Sequence, residues 1–143
     1  MTAMTSEEQE VAAANEAFYA AVERGDLDAL QDLWCAEETA VCVHPGAAPI
    51  HGTRNVLRSW ALIMANTDYI QFFLTDVRVS VLGDVAVVTC QENVLTEVSE
   101  TGDGNAVVVA TNVYVRRGGS WRAQVHHGSP VLGQLVNDDH ADG

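Results

Sequence analysis

An α+β domain, with helices first and a long antiparallel meander after them, is what the sequence predicts. Three observations support it. Up to about Asn66 the apolar residues recur at helical spacing, and from Tyr69 onward they fall into alternating and β-branched runs. Glycine-containing breaks then separate those runs, as turns between strands require. At 143 residues the chain is most simply one domain over residues 1–136, followed by an acidic, flexible tail from Asn137 to Gly143.

Taken in order, Ser6-Glu7-Glu8-Gln9 has the form of a capping box, and Val11, Asn15, Phe18 and Val22 follow at helical spacing. This first helix ends near Arg24-Gly25, and Asp26 is the N-cap of a short second one carrying Leu27, Leu30, Leu33 and Trp34 on its apolar side. Thr39 to Val43 is a brief β-like run stopped by His44-Pro45-Gly46, and a loop continues to Pro49. Thr53 can cap a third helix from Arg54 to about Asn66, with Val56, Leu57, Trp60 and Met64 inward. Four strands follow: Tyr69 to Leu82, Asp84 to Ser99, Ala106 to Arg117 and Ser120 to Gly128. A strongly bent sheet of this kind would wrap around the helices and leave a cavity between them.

The last two strands carry most of the information. With Gly118 and Gly119 as a two-residue turn, Arg116 faces Trp121, Tyr114 faces Ala123, Asn112 faces Val125 and Ala110 faces His127. One face then holds Val108, Ala110, Asn112, Tyr114, Trp121, Ala123, Val125 and His127. The other holds Val107, Val109, Thr111, Val113 and Val115 beside Arg122, Gln124 and His126. An antiparallel sheet needs only one dry face, so a second valine-rich face implies something that covers it. A three-residue turn would exchange the faces of one strand.

Composition excludes some classes of function. A formal charge of −13, with every basic residue an arginine, argues against nucleic acid and against an anionic membrane surface. Cys35, Cys42 and Cys90 show no CxxC spacing, so free buried thiols in a reducing cytoplasm are expected rather than disulfides. Neither a basic-then-apolar leader nor an apolar run of membrane-spanning length is visible.

The chain resembles the nuclear transport factor 2-like superfamily, and within it the SnoaL-like members. The resemblance covers nearly the whole chain. It is carried by Phe18 to Leu33 (FYAAVERGDLDALQDL), His44-Pro45-Gly46, His51-Gly52, Ala110-Thr111-Asn112-Val113, Trp121 and His127-Gly128-Ser129-Pro130. It implies a cone-shaped barrel of three helices on a strongly curved, mainly antiparallel sheet, a homodimer through the outer sheet face, and a pocket at the wide end. The superfamily includes steroid isomerases, polyketide cyclases, epoxide hydrolases, dehydratases and the non-catalytic association domain of calcium/calmodulin-dependent kinase, so function must come from the site. Against the steroid isomerases, Phe18, His44 and Ala110 stand where that family keeps its tyrosine, its carboxylate base and its protonated acid. Only His44 could exchange a proton there.

Candidate site residues follow from the hairpin register and the resemblance. His127, near Asn112 and Tyr114, could act as general base or acid while either neighbour donates to developing negative charge; it could equally be a core histidine satisfied by a backbone carbonyl. His44 could be a base or could support the turn at Pro45. Tyr19, Trp34 and Trp60 are pocket walls or plain core. Arg54 and Arg58, one turn apart, could bind a carboxylate or form a solvated face. His44, His51, His126, His127 and Cys42 lack the tight spacing of a metal site. The expectation is cofactor-free, metal-free acid/base chemistry on an apolar carbonyl-containing small molecule, such as cyclisation, isomerisation or dehydration. The rival reading is a non-catalytic binding or assembly module.

Overall fold

The computed structural model describes residues 3–98 and 102–131. The expected tail from Asn137, and Ser99 to Thr101 between the second and third long strands, lie outside the described residues. Three helices, α1 (Ser6–Arg24), α2 (Leu27–Leu33) and α3 (Thr53–Asn66), pack inside a curved six-stranded sheet. Its strands are β1 (Val41–Val43), β2 (Ile50–His51), β3 (Tyr69–Leu82), β4 (Val85–Val98), β5 (Gly102–Arg117) and β6 (Ser120–Pro130), ordered β2-β1-β6-β5-β4-β3. The four long strands form the expected meander. The two short ones extend it past β6, where β1 runs parallel to β6 and makes the sheet mixed.

Helix starts differ in detail from expectation. The capping box sits one residue earlier: Glu8 N–H donates to Thr5 Oγ1 at 3.2 Å and Thr5 N–H donates to Glu8 Oε1 at 2.7 Å. Asp26 caps α2 as expected, accepting from Ala29 N–H at 3.0 Å. Thr53 does not cap α3; Gly52 holds that place without a side-chain bond. The Thr53 hydroxyl instead reaches the Cys35 and Glu37 carbonyls and accepts Glu37 N–H at 3.2 Å, pinning the connection between α2 and β1.

The β5–β6 turn is the predicted one. Gly118 and Gly119 have φ of 58° and 81°, both positive as a primed two-residue turn requires. Arg116 pairs with Trp121 and Tyr114 with Ala123, but the next pair is Val113 with Val125. One extra residue, Gln124, therefore bulges from β6, and every later side chain changes face. Asn112 pairs with His126, Thr111 with His127, and Ala110 with Gly128. The bulge is held from outside the hairpin. The Gln124 amide donates to the Thr39 carbonyl at 2.9 Å, and the Cys35 thiol donates to Gln124 Oε1 at 2.9 Å.

Further along β6, Gly128 lies under the loop that leaves β1. A Cβ there would come within 3.0 Å of Val108 Cγ1 and 3.2 Å of Pro45 Cγ, so only glycine lets Pro45 close down on the sheet. On the opposite edge, α1 covers β3: Glu23 Oε2 accepts the Phe72 N–H at 2.8 Å, satisfying an otherwise open edge donor.

The core gathers around Phe18, whose ring meets Tyr19 at 4.9 Å, His126 at 5.1 Å, Trp60 at 5.4 Å and Trp34 at 6.0 Å. Ala86, Val88, Ala110 and Ala123 are buried in the same core cluster as these rings. On the outer face Phe73, Leu95 and Val107 stay 39–49% exposed around an open groove of about 360 Å³, and Val109 is exposed as well. Phe18→Ala is expected to lower stability by about 3–5 kcal/mol in urea unfolding, because four rings lose one neighbour at once.

Candidate functional site

Four elements bring polar side chains together inside the apolar core. Helix α1 presents Asn15 and Tyr19, β4 presents Glu92, β5 presents Asn112 and Tyr114, and β6 presents His126. Each is at most 4% exposed. Parity explains the strand members: Ala86, Val88, Cys90 and Glu92 share the inner face of β4, and Ala110, Asn112 and Tyr114 share that of β5.

The directions of the hydrogen bonds follow from the chemistry of the partners. An ionised carboxylate only accepts, so Tyr19 gives its single hydroxyl proton to Glu92 Oε2, at 2.5 Å. The atom of Asn112 that lies 3.1 Å from Tyr19 Oη must then be the amide nitrogen, which also donates to Asn15 Oδ1 at 2.9 Å. Asn112 Oδ1 is left facing His126 Nδ1 at 2.6 Å, so Nδ1 carries the imidazole proton. The lone pair of His126 lies on Nε2, 4.0 Å from Glu92 Oε2. Tyr114 Oη donates to Asn15 Oδ1 at 2.7 Å.

Burial sets the protonation states. Desolvation pushes Glu92 up to about 6, against the partial offset of the Tyr19 bond. Desolvation, with smaller contributions from His44 and His127, pushes His126 down to about 3. The 4.0 Å contact is therefore not an ion pair near neutral pH: His126 is neutral and Glu92 is largely ionised. Burial first, and the nearby Glu92 charge second, raise Tyr19 far above the usual phenol range, which keeps it a donor.

His44 stands beside this cluster, with its ring 4.7 Å from Trp60 and 6.5 Å from His126. Ser59 gives its hydroxyl proton to the Val56 carbonyl at 2.6 Å, so His44 Nε2, 2.9 Å from Ser59 Oγ, is the donor of that pair. Desolvation lowers the basicity of His44.

The expected placement of His127 is corrected: it is exposed on the outer face, and His126 takes the inward position because of the bulge at Gln124. Asn112 and Tyr114 do reach the interior, but their donors are already engaged within the cluster and do not form an oxyanion hole. Tyr19, Trp34 and Trp60 are all buried; Tyr19 is a polar member of the cluster, and the two tryptophans pack on Phe18. Arg54 is exposed, lining an open surface groove with Glu37, Glu38 and Thr53, and is not brought to the cluster. Sequence reasoning missed Glu92, His126 and the role of Asn15. The signals were present: Glu92 continues the inner-face parity of β4, and Asn15 is a polar residue on the apolar stripe of α1. Among the described residues no group of three or more His, Cys, Asp or Glu side chains converges as a metal centre would require. No helix there is long and apolar enough to cross a membrane.

A family profile described as the SnoaL-like domain matches residues 11–133. Among solved structures, the chain is similar to a candidate dehydratase of the NTF2-like family from Streptomyces avermitilis. Identity is 48%, the match covers 89% of this chain and 97% of the other, and the TM-score is 0.83. It is also similar to a candidate calcium/calmodulin-dependent protein kinase type II association domain from Thiobacillus denitrificans, with 31% identity, 85% and 94% coverage, and a TM-score of 0.74. A 28% identical match over 124 residues links it to F-box protein SKIP8 of Arabidopsis thaliana. That match covers 87% of this chain, which spans about half (49%) of that relative's length.

The two shifted groups act oppositely on stability. His126, whose ordinary value is 6.5, binds fewer protons folded than unfolded between pH 6.5 and about 3, so its contribution is lost as pH falls. Glu92, whose ordinary value is 4.5, binds more protons folded between pH 4.5 and about 6, so it opposes that loss in this window. Glu92→Gln is expected to steepen the decline between pH 6 and 4.5 by up to about 1.4 kcal/mol per pH unit, and His126→Phe to flatten it. Urea unfolding from pH 7 to 4 measures both; a Glu92→Gln curve parallel to the parent would show that Glu92 is not raised.

Proposed function

The chain belongs to the SnoaL-like domain family, and we propose that it binds a small uncharged organic molecule at the Glu92 cluster and moves a proton on it, with Glu92 as the base. The observation that carries this reading is Glu92 itself, a carboxyl 4% exposed and pushed up to about 6, held by Tyr19 at 2.5 Å beside a neutral imidazole. A base poised near neutral pH is what abstraction of a proton next to a carbonyl requires. Isomerisation, dehydration and cyclisation all begin with such a step. The 48% identity to a candidate dehydratase is in keeping with this class.

The charge of the ligand follows from where the cations are. Arg24, Arg54, Arg58, Arg78 and Arg117 are exposed, while Arg116 pairs with Glu7 and Arg122 with the Asp32 carbonyl. No arginine is left to neutralise a carboxylate or phosphate beside Glu92, so an anionic ligand would meet only repulsion. Of the two histidines expected to transfer protons, His44 takes a supporting part, oriented by Ser59 and packed on Trp60, while His126 replaces His127 in the cluster.

Proton exchange in D₂O tests the chemistry without knowledge of the full reaction. With a panel of small apolar ketones and β-hydroxy ketones, the protein is expected to catalyse deuterium incorporation at the carbon next to the carbonyl, and Glu92→Gln to slow it by about 10²–10⁴-fold. Equal rates for the two proteins, or no exchange above buffer across the panel, would overturn the catalytic reading.

A second reading, assembly, is favoured by the outer face. Phe73, Leu95, Val107 and Val109 form an exposed apolar patch, and the chain is 31% identical to a candidate kinase association domain. On this reading two copies pair through that face, which leaves the inner cluster untouched. Val109→Glu is expected to convert a dimer to a monomer in sedimentation equilibrium; an unchanged mass would place the interface elsewhere.

A further inference from the structure

Glu92 and His126 are each at most 4% exposed, so a ligand reaches them only when part of the surrounding wall moves. Most of that wall is firmly held. The long strands are paired within the sheet, and α1 buries six of its residues. Short α2 runs on into Trp34 and Cys35, both buried, and the Cys35 N–H donates to the Ala123 carbonyl at 3.0 Å. Helix α3 is different: only Val56 and Trp60 of its 14 residues are buried, and Leu62 is 58% exposed.

The ends of the two long helices differ in the same sense. Gly25, left-handed at φ 65°, closes α1, with its N–H donating to the Val22 carbonyl at 3.1 Å and the Asp26 N–H to Ala21 at 2.9 Å. Beyond α3, Thr67 is extended, and the Asp68 N–H turns away from the helix to the Glu97 carbonyl at 3.0 Å. No basic residue stands in the last turn of α3 to complement its carbonyls. Its other end is fastened by the Thr53 hydroxyl on the Cys35 and Glu37 carbonyls. An open hollow of about 220 Å³ lies where the C-terminal ends of α1 and α3 meet β3, lined by Val22, Glu23, Arg24, Met64, Thr67 and Asp68 among others.

Trp60 sits in the loosely ended half of α3. Its ring is 5.5 Å from His126, 5.4 Å from Phe18 and 4.7 Å from His44, and Glu92 Oε2 lies 4.0 Å beyond the imidazole. We propose that residues 59–66 of α3 are a movable cover, which opens locally from its C-terminal end and lifts Trp60 off His126 to admit the ligand. This rests on the Glu92 cluster being the ligand site. Elements that gate sites are drawn from the least stable parts of a fold, and here the cover has one fully buried side chain to withdraw.

Two indoles supply the comparison. Nε1–H of Trp60 and of Trp34 are both buried without a hydrogen-bond partner, so their exchange with D₂O reports solvent access alone. Native-state hydrogen exchange of the full chain is followed by NMR at increasing, sub-denaturing urea, with Trp60→Phe and Trp34→Phe identifying the signals. The Trp60 indole and the Ile63 and Met64 amides are expected to exchange together, at least about tenfold faster than the Trp34 indole and with a shallower urea dependence. A Trp60 indole that follows Trp34 in rate and urea dependence would overturn the proposal. So would a fast Trp60 indole with slow Ile63 and Met64 amides, since the ring would then move without the helix. Ala61→Gly weakens the cover and is expected to speed Trp60 exchange by about fivefold. Deuterium incorporation into ketones at subsaturating concentration is expected to rise by the same factor; faster opening with unchanged incorporation would overturn the proposal. No incorporation by either protein would remove the chemistry assigned to Glu92, while the Trp60 exchange rates still decide whether the cover opens.

Discussion

A single buried carboxylate sets the sense of the whole polar interior. Because Glu92 can only accept, Tyr19 must donate to it, Asn112 must donate to Tyr19, and His126 must donate to Asn112. The chain of bonds crosses from β4 to α1, then to β5 and β6, so the helix and three strands are locked at one relative height. Burying a charge is costly, and the short Tyr19 bond offsets only part of that cost, as the upward displacement of Glu92 shows. A core of valine and leucine would hold these elements with less penalty. What the polar network adds is direction: it permits one register and one tautomer.

Around this network the apolar residues act as a seal. Phe18 packs against His126 and both inward tryptophans, and Trp60 also meets the imidazole at 5.5 Å, which keeps the imidazole out of water and therefore neutral. His44 adds to this, since its ring and that of Trp60 close the side nearest β1. The low basicity of His126 and the raised pKa of Glu92 have one origin, the exclusion of solvent by a cage of rings. The sheet's outer face has the reverse character, with apolar side chains such as Phe73, Leu95, Val107 and Val109 open to solvent.

Much of the fold was legible in the sequence because its elements are long and strongly periodic. The three helices and four long strands appear close to where spacing places them, and the glycine turn between β5 and β6 has the predicted geometry. What could not be read was short or non-local. Ile50–His51 is too brief to carry periodicity, and the parallel pairing of β1 with β6 joins residues more than 80 positions apart. The site failed for a related reason. Tyr19, Asn112 and Tyr114 were found by helical and strand parity, but the same rule carried beyond Ala123 named His127, because nothing local to β6 announces that Gln124 bulges. The residues that fix the bulge, Thr39 and Cys35, are distant in sequence.

That bulge sits directly before two adjacent histidines, one facing the interior and the other facing solvent. Sheet parity makes the pair a reading frame. Were Gln124 to pair with Val113 instead of bulging, Val125 would face Asn112, and His127, opposite Ala110, would take the inward place of His126 without either residue changing. Changes at Thr39 or Cys35, which hold the bulge from outside β6, can therefore alter the site as sharply as substitutions within it. Comparing relatives column by column would miss the change, since the aligned histidines would look preserved while their roles had been traded.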